Sequence, residues 1–276
     1  MKRMLFLASL LFWVSLSFGQ DSKVNDHKEN LTGPFNSPQE VTKACLGCHE
    51  EAGDQIIASR HWNWAEAPGT VVEDKVNLGK KNIINNFCIA VPSNYPRCTS
   101  CHIGYGWKDA SFDFTKKENI DCLVCHDQTG TYSKDPKGAG MPKEGVDLLN
   151  AAQNVGPTNR DNCGNCHFYG GGDEAVKHGD MDGSLSKPSA DFDVHMGGQD
   201  FSCAECHTSE NHKISGRSHG SRYMGTGKQV ACENCHEGEV HKKSRLNEHA
   251  KTIACQTCHI PTYAKEIATQ TWWDWS

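Results

Sequence analysis

The strongest hydrophobic pattern lies at the N-terminus, where a largely apolar run over residues 4–18, not interrupted by charge, follows Lys2 and Arg3 and ends in small residues. A short apolar run behind positive charges is typical of a secretory signal peptide. It is shorter than the roughly 20 residues of a membrane span. We therefore predict a signal peptide over 1–19 and a periplasmic mature chain without a membrane span. The alternative is a retained N-terminal anchor.

The rest of the chain shows neither a long amphipathic period nor strand alternation. Residues 43–59 and 247–257 suit short helices, while 132–142, 169–172 and 179–188 are predicted to be loops. Hydrophobic residues make up 37% of the chain, which is little for an ordinary core of this size. The pattern predicts a mainly α fold with extensive loops, whose interior is filled by something other than side chains.

The charge balance is acidic. The chain has 28 Lys plus Arg against 34 Asp plus Glu, and loss of the signal segment removes two of the basic residues. This composition lacks the basic footprint of a nucleic-acid-binding protein. A redox protein that donates electrons, or a small molecule held in a local positive pocket, is the expected partner.

The cysteines indicate what fills the interior in place of side chains. Fourteen of the 15 cysteines fall into seven Cys-x-x-Cys-His motifs, the attachment signal of c-type haem. The motifs are Cys45/Cys48/His49, Cys98/Cys101/His102, Cys122/Cys125/His126, Cys163/Cys166/His167, Cys203/Cys206/His207, Cys232/Cys235/His236 and Cys255/Cys258/His259.

Two thiols three residues apart on a helical turn can reach one porphyrin edge, and the following histidine can coordinate the iron. Zinc ribbons and a disulfide framework are the alternatives, but neither needs a histidine after every pair. We predict seven haems c, packed as the core of a multihaem cytochrome domain over 45–276, behind a polar leader over 20–44. The unequal motif spacing excludes a solenoid of identical repeats.

Histidines outside the motifs are candidates for the second axial ligand of each iron. His27 lies in the polar leader and is expected to be solvated. The seven other candidates are His61, His178, His195, His212, His219, His241 and His249. Haems with two histidine ligands would relay electrons without binding substrate.

Three segments, 79–88, 96–107 and 163–180, resemble octahaem tetrathionate reductases, and the similarity continues to the C-terminal Ile-Pro-Thr-Tyr and Trp-Trp-Asp-Trp-Ser. The resemblance implies that the active haem is the one on Cys98 and Cys101 with His102. It further implies that Lys177 is the sixth ligand of that iron. Burial and the metal's charge would both favour the neutral amine that ligation requires.

The same resemblance places an acidic residue and a lone cysteine at the active haem. The acidic residue is Glu174 or Asp173, and the cysteine is Cys88. An odd cysteine in an exported protein is either a reactive thiol, an intermolecular bridge or an inert buried group.

Seven candidate histidines and Lys177 make eight sixth ligands for seven motifs. Because the resembling family carries eight haems, we expect that the sequence lacks a final Cys-x-x-Cys-His beyond residue 276, and that the full-length protein binds eight haems.

The predicted function is reduction of a small oxidised sulfur or nitrogen substrate: tetrathionate, or nitrite or hydroxylamine. A Cys88 thiolate could attack the S–S bond of tetrathionate. Arg97, Lys108 and Arg160 are possible anion contacts, although a surface role is the more ordinary one. The alternatives are an electron conduit in which every haem has two histidine ligands, and a structural or haem-storage protein.

Overall fold

The fold was analysed in a computed structural model, which describes residues 27–65, 77, 79–82, 90–168, 181–216, 230–262 and 264–268. Short helices joined by loops dominate this part of the chain, so the predicted mainly α fold with extensive loops is confirmed. Its α-helices are α1 (His27–Asn30), α2 (Pro38–Leu46), α3 (Ala52–Ile57), α4 (Arg60–Asn63), α5 (Tyr95–Cys98), α6 (Leu123–His126), α7 (Leu148–Gln153), α8 (Arg160–His167), α9 (Cys203–Cys206), α10 (Ser244–Ala250) and α11 (Gln256–His259).

Single 3-10 turns and one hairpin complete these elements. The 3-10 turns are Val91–Ser93, Lys117–Asn119, Gly183–Leu185 and Cys232–Asn234. Strands β1 (Ser209–Glu210) and β2 (Lys213–Ile214) pair antiparallel. None of the described helices combines the length and the apolar character of a membrane span.

Six of these helices, α2, α5, α6, α8, α9 and α11, contain residues of a Cys-x-x-Cys-His motif. In five motifs the histidine N–H donates to the carbonyl of the first cysteine, at 2.8–3.2 Å, which closes one helical turn. The predicted helix over 43–59 is therefore divided into α2 and α3 by the turn at Cys48 and His49. Helix α8 begins with a reciprocal capping box formed by Asn159 and Asn162.

The described part of the predicted polar leader packs against the domain. Val41 and Thr42 on α2 are buried, and the Thr42 hydroxyl donates to the Ile120 carbonyl at 2.5 Å. The predicted boundary after residue 44 falls inside α2. Apolar residues are too sparse here to form a recognisable period, but Val41 joins the main cluster of buried side chains.

Side-chain burial is concentrated in the first part of the chain. One cluster contains Val41, Leu123 and Val124, and a second contains Ile56, Trp62 and Ile120. Among the described residues after 192, only Ser215 and Asn247 are buried, while Ile260 is 53% exposed. Side chains alone cannot stabilise a segment with so little apolar burial, which agrees with the predicted interior filled by something other than side chains.

Candidate functional site

None of the fourteen motif cysteines, all of which lie in the described part of the chain, forms a disulfide. This arrangement leaves each Cys-x-x-Cys pair available for thioether formation and does not support a disulfide framework. Each pair lies on or beside a short helical turn, and the motif histidine directly follows the second cysteine.

The protein does not enclose all of the predicted attachment thiols. Cys48, Cys206, Cys235 and Cys258 are exposed to the protein's surroundings, whereas the other ten motif cysteines are partly buried. Each of the four is the second cysteine of its motif. Side chains do not cover these thiols, which agrees with the predicted interior filled by something other than side chains.

The physical reason is the scarcity of apolar side chains around these turns. Cys235 directly follows the 3-10 turn Cys232–Asn234, and Cys258 lies on α11. Both belong to the region after residue 192, where almost no described side chain is buried. Protein contacts alone therefore leave these thiols uncovered, and haem attachment at Cys235 and Cys258 stays a prediction from the motif.

Five motif histidines face a second histidine from elsewhere in the chain. The centroid separations are 6.3 Å for His27–His49, 6.2 Å for His61–His167, 6.4 Å for His126–His212, 6.0 Å for His195–His236 and 5.9 Å for His241–His259. A metal–imidazole bond is about 2 Å long and the bonding nitrogen lies about 1 Å from its ring centre, so two imidazoles on opposite sides of one metal have centroids roughly 6 Å apart. The pairs therefore fit axial ligation of one iron each.

Second hydrogen bonds orient several of these rings. Nδ1 of His126 lies 2.9 Å from the Gly156 carbonyl oxygen, and Nδ1 of His212 lies 2.8 Å from Oε1 of Gln55. Such bonds at one ring nitrogen fix the tautomer and leave the other nitrogen for a metal. Burial lowers the pKa of His61 and of His212, which favours the neutral ligating form.

Two local elements, a hairpin turn and a short helix, carry histidines to their partners. His212 lies in the turn between β1 and β2, where Asn211 and His212 have φ values of 50° and 60°, and this left-handed turn presents its ring to His126. His27 is carried by α1. The expectation that His27 is solvated is wrong, because its ring is half-buried and stacks on His49.

Several predicted site residues lie outside the described ranges. They are Lys177, Cys88, Glu174, Asp173, His178 and His219. His249 is described and exposed. His207 places Nδ1 3.0 Å from the Ser215 carbonyl oxygen, and within the described ranges no histidine ring faces it.

His102 differs from the other six motif histidines, all of which are described. Its exposed fraction is 0%, whereas His126 is half-buried and the remaining five are exposed. Its N–H donates to Thr99 rather than to the first cysteine of its motif. Five aromatic rings enclose its imidazole, with centroids 4.8–6.0 Å away: Trp62, Trp64, Trp107, Phe112 and Phe114.

The ring nitrogens of His102 have different surroundings. Nε2 lies 2.7 Å from the Trp62 carbonyl oxygen, while Nδ1 has no hydrogen-bond partner in the described structure. Burial lowers the pKa of His102 to about 3, so the ring is neutral at physiological pH. One anchored nitrogen and one buried, unpartnered nitrogen fit a metal ligand. Gly104 permits this packing, since a Cβ there would lie 2.8 Å from Nδ1.

Two lysines border the aromatic rings around His102. Nζ of Lys80 lies 4.3 Å from the Trp64 ring centroid, and Nζ of Lys81 lies 3.6 Å from that of Phe114. Within the described ranges neither lysine forms an ion pair. Burial lowers the pKa of Lys81. Sequence reasoning assigned them no role, although Gly79-Lys-Lys is part of a segment that carried the family resemblance.

The predicted anion contacts are not gathered at His102. Arg160 donates to the carbonyls of Met196 and Phe201 and pairs with Asp200, which is a structural role. Arg97 lies 3.4 Å from the Pro136 carbonyl, and Lys108 is exposed.

Cysteines from different motifs approach one another. The Cys166 thiol lies 3.6 Å from the Cys101 carbonyl oxygen. The side chains of Cys45 and Cys122, of Cys163 and Cys203, and of Cys232 and Cys255 are neighbours. Haems attached at these turns would have neighbouring edges.

Comparisons with known proteins agree with this geometry. Residues 188–260 match the family model of cytochrome c7 and related cytochrome c. The chain is similar to octahaem cytochrome c from Shewanella oneidensis, with 51% identity, a TM-score of 0.81 and coverage of 91% of this chain and 56% of that one. An uncharacterised protein of Archaeoglobus fulgidus is 24% identical over 254 residues, which cover 72% of this chain and 83% of that protein.

Repeated haem-attachment turns, facing histidines and sparse side-chain burial define an electron-transferring cytochrome c with covalently bound haem. Within that class, the chain belongs to the octahaem family of multihaem c-type cytochromes. It spans 56% of the length of the Shewanella oneidensis protein.

Proposed function

We propose that this chain is a periplasmic oxidoreductase that reduces a small oxidised sulfur or nitrogen substrate at the haem attached to Cys98 and Cys101. The observation that carries the proposal is the burial of His102. Six motif histidines are partly or largely exposed, five of them beside a second histidine, whereas His102 is enclosed by aromatic rings. A site closed to water and unlike its neighbours is the natural location for chemistry.

The charges bordering this site favour an anionic substrate. Lys80 and Lys81 contact aromatic rings and have no carboxylate partner among the described residues. Partial burial removes water from the Lys81 ammonium, so an incoming anion would replace lost solvation. Tetrathionate is a dianion and is the preferred candidate, ahead of nitrite and of hydroxylamine, which is uncharged at neutral pH.

Residues outside the described ranges complete the proposed site. Lys177 would hold the active iron through a neutral amine, and Glu174 or Asp173 would orient that amine or a proton donor. The Cys88 thiolate attacks a central sulfur of tetrathionate, forming a Cys88–S–S–SO₃⁻ adduct and releasing one thiosulfate. Two electrons then break the new S–S bond, restoring the thiolate and releasing the second thiosulfate.

Seven haems c attached at the motifs would supply these electrons one at a time, and the chain's residues would determine their order. The five facing histidine pairs would each hold one iron. Helix α8 carries Cys163 and Cys166, which approach Cys203 and the Cys101 carbonyl. We therefore propose that electrons reach the haem site at His102 through the attachment motif on α8. An electron-donating redox protein is the proposed partner.

The five histidine pairs also favour a second candidate, a conduit without catalytic activity. The two functions differ in the behaviour of Cys88. In purified holoprotein, Cys88→Ser should abolish tetrathionate reduction while hydroxylamine reduction and haem content persist, because only the first substrate needs the thiol. Full activity of the variant with tetrathionate would contradict the proposed step, and no turnover of either substrate by the unaltered protein would favour the conduit.

A further inference from the structure

A buried ion pair lies between the second and third haem-attachment turns. Nζ of Lys134 is 3.1 Å from Oδ2 of Asp121, and the two side chains are 7% and 0% exposed. The other described ion pairs each have at least one largely exposed partner. Neither Asp121 nor Lys134 is a predicted haem-attachment residue or iron ligand.

Hydrogen bonds satisfy the Asp121 carboxylate fully. Oδ1 accepts from the Tyr105 hydroxyl and the Val124 N–H, both at 3.0 Å. Oδ2 accepts from the Tyr132 hydroxyl at 2.9 Å as well as from Lys134. Burial raises the pKa of Tyr105 and of Tyr132, so both remain phenols that donate. These contacts hold the carboxylate in a fixed position.

The pair contacts the backbone of both attachment turns. Nζ of Lys134 donates to the carbonyl of His102. Asp121 directly precedes Cys122 and binds Val124, which lies between the two cysteines of that motif. The positive end of the pair is therefore at the second turn and the negative end at the third.

Stability alone does not explain such a pair. Removing two charges from water is costly, and a hydrophobic pair of similar volume is often equally stable. Charges fixed in a buried position are weakly screened by solvent and salt, so they act strongly on nearby electron acceptors. Nearby positive charge favours the reduced state of an iron, and negative charge favours the oxidised state.

We propose that Asp121 and Lys134 are positioning residues that direct electrons towards the haem on Cys98. The Lys134 ammonium raises the reduction potential of that haem, and the Asp121 carboxylate lowers the potential of the haem on Cys122. Electrons therefore favour the haem at the buried His102. The inference rests on the haem attachments in the proposed function.

The test is a redox titration of purified holoproteins, followed haem by haem by electron paramagnetic resonance. Lys134→Met should lower the potential of the haem on Cys98, and Asp121→Asn should raise that of the haem on Cys122. Lys134→Arg retains the charge and should retain the potential. The matched control is Lys117→Met, which breaks the exposed ion pair of Lys117 with Asp54 at 2.6 Å and should leave both potentials unchanged.

Shifts of reduction potential with opposite signs in the two variants would indicate an electrostatic effect. Loosened packing would instead shift the potentials of both haems in the same direction. If either single variant yields no holoprotein, the charge-free double variant decides, because the potential difference between the two haems should shrink. An unchanged difference would overturn the inference. Haem number, measured by intact mass, is checked first: missing haems would count against the proposed attachments, whereas full haem content with unchanged potentials would overturn only the role of the ion pair.

Discussion

The pairing of His27 with His49 makes a sharp prediction for a residue that sequence reasoning placed in solvent. The ring centroids lie 6.3 Å apart with an interplanar angle of 20°. If His27 is the second ligand of the iron on His49, His27→Ala removes one axial ligand from one haem. About one seventh of the low-spin haem signal should then convert to high spin, with the other haems unaffected.

Ring stacking alone predicts a different result. An aromatic contact at this distance contributes about 0.5–1.5 kcal/mol, and His27→Phe would retain much of it without being able to bind iron. Ligation therefore predicts the same high-spin haem in His27→Phe and His27→Ala, whereas stacking predicts an unchanged spectrum in both. Electron paramagnetic resonance of the holoprotein distinguishes them. Glu29→Ala, an exposed change on the same helix, is the control, and a fully low-spin His27→Phe protein would refute the assignment.

Three further predictions concern the remaining contacts. Gly104→Ala should lower the free energy of unfolding by about 1–3 kcal/mol in chemical denaturation, because the new Cβ would lie 2.7 Å from the Trp62 ring; an unchanged midpoint would contradict the packing. Lys81→Met should raise KM for tetrathionate roughly fivefold, corresponding to about 1 kcal/mol. The control, Lys108→Met at an exposed lysine, should leave KM unchanged. Equal changes of KM in the two variants would refute a local anion contact. His212→Ala should produce one high-spin haem, as His27→Ala does, and a spectrum without a high-spin component would remove His212 from the ligand set.

Local chemistry was predictable from sequence because it depends on neighbouring residues. Both thiols and the histidine of each attachment motif lie within one helical turn, so spacing alone predicts their arrangement. The scarcity of hydrophobic residues likewise predicted an interior not filled by side chains, and the region after residue 192, with its exposed Cys235 and Cys258, agrees.

Long-range pairing was beyond sequence reasoning. His126 and His212 are 86 positions apart, and only the hairpin turn brings their rings together. His27 was excluded because its surroundings are polar, yet the scattered apolar residues of α2 anchor this part of the chain through Val41. No local pattern reports which partner a histidine meets.

The sequence also did not predict the environment of His102 or the ion pair at Asp121. The aromatic residues around His102 lie in segments 62–64 and 107–114, which have no helical or strand periodicity in common. A lysine at 134 in a predicted loop has the appearance of a solvated charge. It becomes buried because the loop folds back over the second and third attachment turns, where Lys134 contacts Asp121 and the His102 carbonyl.

The central claim, that the haem at His102 is chemically distinct and performs the reduction, is tested most directly by the ligand field of each haem in the complete holoprotein, with and without Lys177→Met. We predict one low-spin signal that differs from those of haems with two histidine ligands, and its loss together with tetrathionate reduction in the variant. Identical spectra for the two proteins, with every haem showing two histidine ligands, would contradict the claim.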